Sequence, residues 1–278
     1  MRTSVIVPVY NQIGYTEVCL EALDRATPTD DWELIVVNNG SSDGTAAWLD
    51  GLRLEHAPVR VIHNRENLGF ARACNQGLAI AEGDGMLLLN NDAVVTPGWQ
   101  DGLWWPMTQD DGIGLTGPFS NATLGRACLP SVPYDQDLDW MEAFAAERAQ
   151  TFCRQGYAVA LLSGFCLLIR REVVDRIGGM DPLYGVGFFE DNDFAVRAQL
   201  AGYSLWACED VFVHHYGSKT FNGAKFVKRD LIAEHWHLFK RKWGLPEDRT
   251  AEIAYGHDEI AERWAGDPAV PLYVPLTP

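Results

Sequence analysis

Asn90-Asn91-Asp92 closes an apolar run, residues 86–89, that carries no turn former. Such a run suits a strand buried on both faces of a parallel or mixed sheet. One carboxylate beside two amides at a strand end can hold a divalent cation that a diphosphate also binds. Carboxyl ends of strands are also where open α/β sheets place their ligands. The same three residues read equally as an Asn/Asp turn. A second acidic group, Glu190-Asp191-Asn192-Asp193, follows Phe188-Phe189 and opens a helical pattern. A helix N-terminus favours ionised carboxylates, and one of these could serve as general base toward a hydroxyl within hydrogen-bond reach. Plain capping is the alternative; the paired aromatics favour a pocket wall. His214 ends a short apolar strand pattern. It reads either as a core histidine or, with Asp92 available, as a cation ligand.

These groups need a scaffold, and the first stretch of about 90 residues supplies one by alternating strand and helix patterns, the signature of a doubly wound, mainly parallel sheet. Strands are expected at residues 4–9, 32–37, 59–62 and from Gly85. Each ends in hydrogen-bonding residues: Asn11, Asn38 with Asn39, Asn64 with Arg65, and Asn90 to Asp92. Neutral polar groups gathered on one sheet edge suit a base and ribose, and Arg65 and Arg72 could face a phosphate. No GxGxxG or GxxxxGK[ST] follows any strand, which argues against a dinucleotide-binding domain. A sugar nucleotidyltransferase would need a basic, glycine-rich loop after the first strand, and that is absent. A catalytically silent nucleotide- or sugar-binding protein is the rival from outside the enzymes.

Regularity weakens beyond Pro97. Trp99, Trp104 and Trp105 read mainly as core, with an aromatic face near a site also suited to a sugar ring. Residues 118–158 look loop-rich around an acidic helical piece at 137–150, and long irregular segments often form binding loops or lids. A strand is expected at 163–169, a helix at 170–177, and two short strands at 205–207 and 211–213. Residues 224–243 are helical in pattern, basic, and carry Trp236, Phe239 and Trp243. That helix either closes the domain or contacts a membrane surface peripherally. The residues from Gly256 on read as a loosely held tail.

With a net charge of -16, the surface disfavours nonspecific nucleic-acid binding. No apolar run is long enough to span a bilayer, and MRTSVIVPVYN is too short in its apolar part for a signal peptide. The six cysteines show no CxxC and no zinc spacing. Reduced thiols in a cytoplasmic protein, peripheral at the inner face of the membrane at most, are the expectation.

SVIVPVYN, VVNNGSSDGT, NLGFARACNQG, LLLNNDAVVTPGW, SGFCLLIRREV, GGMDPLY, FFEDNDFAVRAQLAGY and VFVHHYGSKTF run in this order from residue 4 to about residue 221. Together they resemble the signature blocks of the family 2 glycosyltransferases, and most of all their rhamnosyltransferase-like branch. The resemblance implies a GT-A fold: a Rossmann-like mixed, mainly parallel sheet in a single catalytic domain. Residues 1–96 would bind the nucleotide sugar, residues 97–221 the acceptor, and 222–278 would add a helix and tail. It implies an inverting enzyme using a nucleoside-diphosphate sugar, Mn²⁺ or Mg²⁺, and a glycan or lipid-linked glycan acceptor. By motif, Pro8, Tyr10, Asn11, Asn38, Asn39, Arg72, Asn90 and Asn91 would line the donor. Asp92 and His214 would meet the metal, and Asp191, with Glu190 beside it, would be the base. Asn38 stands where the family commonly has an acid that contacts the base, which leaves uracil, thymine and guanine open. Asn90 replaces the first acid of the family's DxD motif, which removes a negative charge from the metal site.

Overall fold

The computed structural model describes residues 1–123, 125–129, 131–134, 137–217, 228–250, 260 and 272–276. Four strands come first: β1 (Thr3–Val9), β2 (Trp32–Asn39), β3 (Val59–Asn64) and β4 (Gly85–Leu89), interleaved with helices α1 (Ile13–Ala26), α2 (Thr45–Asp50) and α3 (Phe70–Ile80). All four strands pair in parallel, in the order β3-β2-β1-β4. Their continuous apolar runs are explained by burial on both faces. On β1, Val5, Val7 and Val9 pack with Cys19, Leu20 and Leu23 of α1, while Ile6 packs on the opposite side with Ala71, Cys74 and Leu78 of α3. Gly77 lets α3 approach the sheet: a Cβ there would stand 2.3 Å from the side chain of Ile6.

Beyond β4 the chain forms β5 (Ala93–Val95), α4 (Trp99–Gln109), β6 (Ile113–Phe119), α5 (Leu138–Thr151) and β7 (Gly156–Val159). There follow β8 (Cys166–Arg170), α6 (Arg171–Ile177), α7 (Glu190–Leu200), β9 (Ser204–His215) and α8 (Lys228–Trp243). β8 enters antiparallel between β4 and β6, pairing Leu89 with Cys166. The sheet then runs on through β9, parallel to β6, to β5 and β7, which are antiparallel to β9. Helices α1 and α4 cover one face, and α3, α6 and α7 the other. Architecture and class are the mixed, mainly parallel α/β sheet expected.

Several details depart from expectation. The region after Pro97 is regular: α4 buries Trp99 and Trp104 and leaves Trp105 exposed, with Pro106 inside the helix. The two short strands expected near 205 and 211 are one strand, because β7 and the bond from Glu209 N–H to the Gln155 carbonyl carry the pairing across the polar Glu209-Asp210. In the 118–158 segment, α5 lies over β9 and buries Met141 and Ala145 with Phe212.

α8 closes the domain. Trp236, Phe239 and Trp243 are at most 5% exposed and pack with Tyr184, Val196 and Leu245. The aromatic face that suggested membrane contact is therefore inside the protein; residues 224–227 of that stretch lie outside the described residues. No helix among the described residues is long and apolar enough to cross a membrane. Of the expected tail, only residues 260 and 272–276 are among the described residues, and of these Val274 and Leu276 are held to the domain. Val274 exchanges backbone bonds with Ile177 and Gly179, and Leu276 joins the α3–α6 core. Gly178, at φ 71°, permits this: a Cβ would stand 1.7 Å from the Val274 carbonyl oxygen.

Candidate functional site

The carboxyl ends of β1, β2 and β4 and the amino-terminal approach to β8 meet at one edge of the sheet. At β1, Pro8, Tyr10 and Asn11 are half-buried. Asn11 and Gln12 take left-handed backbone, φ 56° and 64°, which non-glycine residues adopt only where the surroundings over-determine it. Here the β2 loop does so: Asn11 Oδ1 accepts from Ser42 N–H at 2.8 Å, and Asn11 N–H donates to Ser41 Oγ at 2.8 Å. Asn38, buried at the end of β2, accepts from Ser41 N–H and donates to His63 Nδ1 at 3.0 Å. His63 in turn meets Asp50 through Nε2 at 3.3 Å. This fixes the orientation of the amide that stands in place of an acid.

Asn39 behaves differently. Its amide nitrogen donates to Asn67 Oδ1 and the Gly69 carbonyl, and its oxygen accepts from Asn64 Nδ2 and Leu68 N–H. Both donors and both acceptor positions of the amide are thereby filled. Asn39 holds the loop before α3 in place and has no spare group for a direct nucleotide contact. Arg72 is exposed in the first turn of α3, whose Phe70 approaches Gly164.

In the turn after β4, Asn90 N–H donates to the Phe165 carbonyl at 2.7 Å, and Asn91 donates to Thr16 Oγ1 at 2.9 Å. Asp92 is 5% exposed, and its Oδ1 lies 3.2 Å from Nε2 of His215. The neighbouring His214 does not make this contact. Side chains alternate along a strand, so His214, opposite Val94, turns with Phe212 under α5, where its Nδ1 meets the Tyr134 hydroxyl at 3.0 Å. Burial and the neighbouring His215 bring the His214 pKa down to about 4. The histidine facing the acid is thus His215, not the His214 that sequence reading selected.

The His215 ring is held on both sides. It stacks on Phe165 with centroids 4.6 Å apart, and Nδ1 lies 2.6 Å from the Ala122 carbonyl. A carbonyl only accepts, so Nδ1 carries a hydrogen. Nε2 therefore faces the Asp92 carboxylate either as a lone pair or protonated, and a lone pair there is repelled unless a cation lies between. Neighbouring ligands about 2.1 Å from an octahedral cation stand ~3 Å apart, close to the separation seen. A carboxylate with an imidazole is a donor set that Mn²⁺ accepts. Among the described residues no third His, Cys, Asp or Glu joins them.

At the start of α7, Asp191 accepts from Gly164 N–H through Oδ2 at 3.1 Å and from Asn192 N–H through Oδ1 at 2.9 Å. Burial raises its pKa above the usual carboxylate range, against those bonds. Glu190 is 6% exposed, and its Oε2 is buried without a hydrogen-bond partner. Burial pushes the nearby Cys74 thiol up, and the charge of Glu190 adds to it. Burial first, then the charge of Asp191, pushes the Glu190 pKa well up. The folded state thus holds this proton more tightly than the unfolded chain, and stability falls as pH rises through the folded-state pKa. In melts at pH 5 and pH 8, Glu190→Gln is expected to gain stability over the parent protein at the higher pH. A difference that does not change between the two would contradict the assignment.

Residues 164 and 165 join the site. Gly164 binds the α7 carboxylate, and Phe165 holds both the Asn90 turn and the His215 ring. Sequence reading placed these two residues only in a strand, and it passed over His215. The alternation of β9 against the short β5 is the signal that separates the two histidines.

An open, mainly parallel sheet with an antiparallel strand inserted beside a strand-end carboxylate is the GT-A class of glycosyltransferase fold. Over 95% of its length the chain superposes with TM-score 0.63 on 72% of Staphylococcus aureus TarS solved with UDP-GlcNAc, at 19% identity. It also superposes over 98% of its length with TM-score 0.54 on 77% of the mannosyltransferase PcManGT from Pyrobaculum calidifontis, solved with GDP-Man and Mn²⁺, at 20% identity. At these identities the likeness is one of fold. Residues 4–178 match glycosyl transferase family 2, and the chain belongs to that family. Among relatives, protein y4gI of Sinorhizobium fredii is 25% identical over 94% of the chain, which spans 29% of that protein. The N-acetylglucosaminyl-diphospho-decaprenol L-rhamnosyltransferase of Mycobacterium tuberculosis is 26% identical over 78% of the chain and 76% of the relative.

Proposed function

We propose that this glycosyltransferase is inverting and moves a sugar from a nucleoside-diphosphate donor, UDP- or dTDP-linked, to a hydroxyl of a glycan or lipid-linked glycan. The observation that carries this reading is the pair of carboxylates tied to consecutive residues. Asp191 is bound at Gly164, and Asp92 with His215 is braced at Phe165. Residues 1–96 would hold the donor, with Tyr10, Asn11 and Asn38 at the nucleoside and Arg72 toward the diphosphate. Residues 97–221 would hold the acceptor. Asp92 and His215 would hold Mn²⁺ or Mg²⁺, which when bound neutralises charge on the leaving diphosphate.

Asp191, anchored by two backbone N–H groups, takes the acceptor hydroxyl proton as that oxygen forms its bond to the anomeric carbon. The bond from that carbon to the diphosphate breaks on the opposite face, and its electron pair leaves with the diphosphate. One displacement gives inversion. The name of the mycobacterial relative, which specifies a decaprenol-linked diphosphate sugar, supports a lipid-linked acceptor.

Thermal stabilisation of the full chain by UDP, dTDP and GDP, each with and without Mn²⁺, tests the donor site. A ligand at 100 times its Kd stabilises by about 2.7 kcal/mol, enough to rank the three nucleotides. Asp92→Asn is expected to lose the Mn²⁺-dependent part of the shift and keep the nucleotide-only part. No shift with any nucleotide would overturn the donor assignment. Binding without transfer from any matching nucleotide sugar would return the protein to a silent binder.

A further inference from the structure

The turn that launches α7 is the most strained segment near the site. Phe188 and Phe189 have φ 72° and 75° in succession, a left-handed pair that bulky side chains rarely adopt. The residue preceding α7 makes no side-chain capping bond. A restraint on this turn comes from α8. His235 of α8 is 5% exposed, and its Nδ1–H points at two successive carbonyls of this turn, Gly187 at 2.8 Å and Phe188 at 3.2 Å. The Phe189 ring packs on Trp236 and Phe239 of the same helix, at 5.6 Å to each. One turn further along α7, Asp193 accepts from Trp243 Nε1 at 3.1 Å and faces Lys242 Nζ at 2.6 Å. α8 therefore holds the chain on both sides of Asp191, by the backbone at 187–188 and by the side-chain carboxylate of Asp193.

We infer that α8 acts as a clamp that aims Asp191, with His235 as its positioning residue. The inference rests on the reading of Asp191 as the base. Without the His235 bond the left-handed pair relaxes toward ordinary backbone, and the first turn of α7 rotates away from Gly164. A displacement of about 1 Å at a reacting group can cost on the order of 100-fold in rate.

Three variants of the full chain test this: Asp191→Asn, His235→Ala and His235→Asn. Asparagine can place an amide N–H where the imidazole Nδ1–H stands. His235→Ala is expected to lower kcat roughly 10- to 100-fold with the donor KM unchanged. His235→Asn is expected to restore most of kcat. A purely structural role would lower the melting temperature without splitting kcat from KM. If Asp191→Asn keeps full turnover, the base assignment itself fails. If that variant is impaired while His235→Ala is not, only the clamp fails. Should the alanine variant not fold, His235→Phe, which keeps a buried ring and removes the Nδ1–H, decides: kcat lowered about tenfold or more at unchanged donor KM supports the clamp, and near-parent kcat overturns it.

Discussion

Asp191→Asn is expected to lower turnover by about 100-fold or more, the usual scale for a lost general base, while the donor KM stays nearly unchanged. The amide keeps the shape of the carboxylate and can still accept from Gly164 N–H, so the loss isolates proton transfer from architecture. A group that removes charge without moving atoms should cost kcat and kcat/KM alike. The pH profile supplies a second reading. Burial raises the Asp191 pKa, and the base works only when ionised. Parent kcat should therefore fall as pH drops through that raised value, on a limb lying above the ordinary carboxylate range. The limb should vanish in the variant. Unchanged turnover, or a limb that survives the substitution, would remove Asp191 from the mechanism.

Two residues away, Asp193→Ala should unfold the protein readily rather than silence it. Asp193 and Arg197 are both fully buried, with Arg197 Nε 2.8 Å from Asp193 Oδ2. Tyr184, Trp243 and Lys242 converge on the other carboxylate oxygen. Arg197 also donates to the carbonyls of Ile177, Gly179 and Leu272, so it cannot swing out to water when its partner is lost. Removing one member of such a pair costs about 3–5 kcal/mol, against a total stability of roughly 5–15 kcal/mol for most domains. Urea titration reads this as a lower midpoint. The Asp193→Ala/Arg197→Met double variant should lose less than the sum of the two single losses, because the members interact directly. A loss below about 1 kcal/mol for Asp193→Ala would mean that water reaches the network and screens it.

The sequence was most legible where one physical rule dominates. Continuous apolar runs such as residues 34–37 and 86–89 announce strands buried on both faces, and their polar ends announce the site edge. The blocks around Asn90-Asn91-Asp92 and Glu190-Asp191 marked the two carboxylates that the fold brings to residues 164 and 165. Legibility failed where partners are distant in sequence. Asn39 looked like a ligand group, but its amide is filled by residues 64–69. His214 and His215 differ by one position, and only the pairing of β9 with β5 says which face each takes. Pro106 disguised α4, whose Trp99 and Trp104 are anchored through their indole N–H groups to Thr27 and Thr3. Trp236, Phe239 and Trp243 allowed either a closing helix or a membrane face, and the α7–α8 packing buries them as a closing helix does. The left-handed Phe188-Phe189 turn has no sequence signature, since glycine is the residue that normally announces it.

The antiparallel seat of β8 between β4 and β6 has an evolutionary consequence. On the division proposed above, β4 of the first half pairs with β8 of the second, Leu89 opposite Cys166, within one continuous sheet. A recombination event that exchanged either half alone would sever that ladder and strip both carboxylates of their common support at residues 164 and 165. Residues 1–96 and 97–221 would then be inherited as one unit.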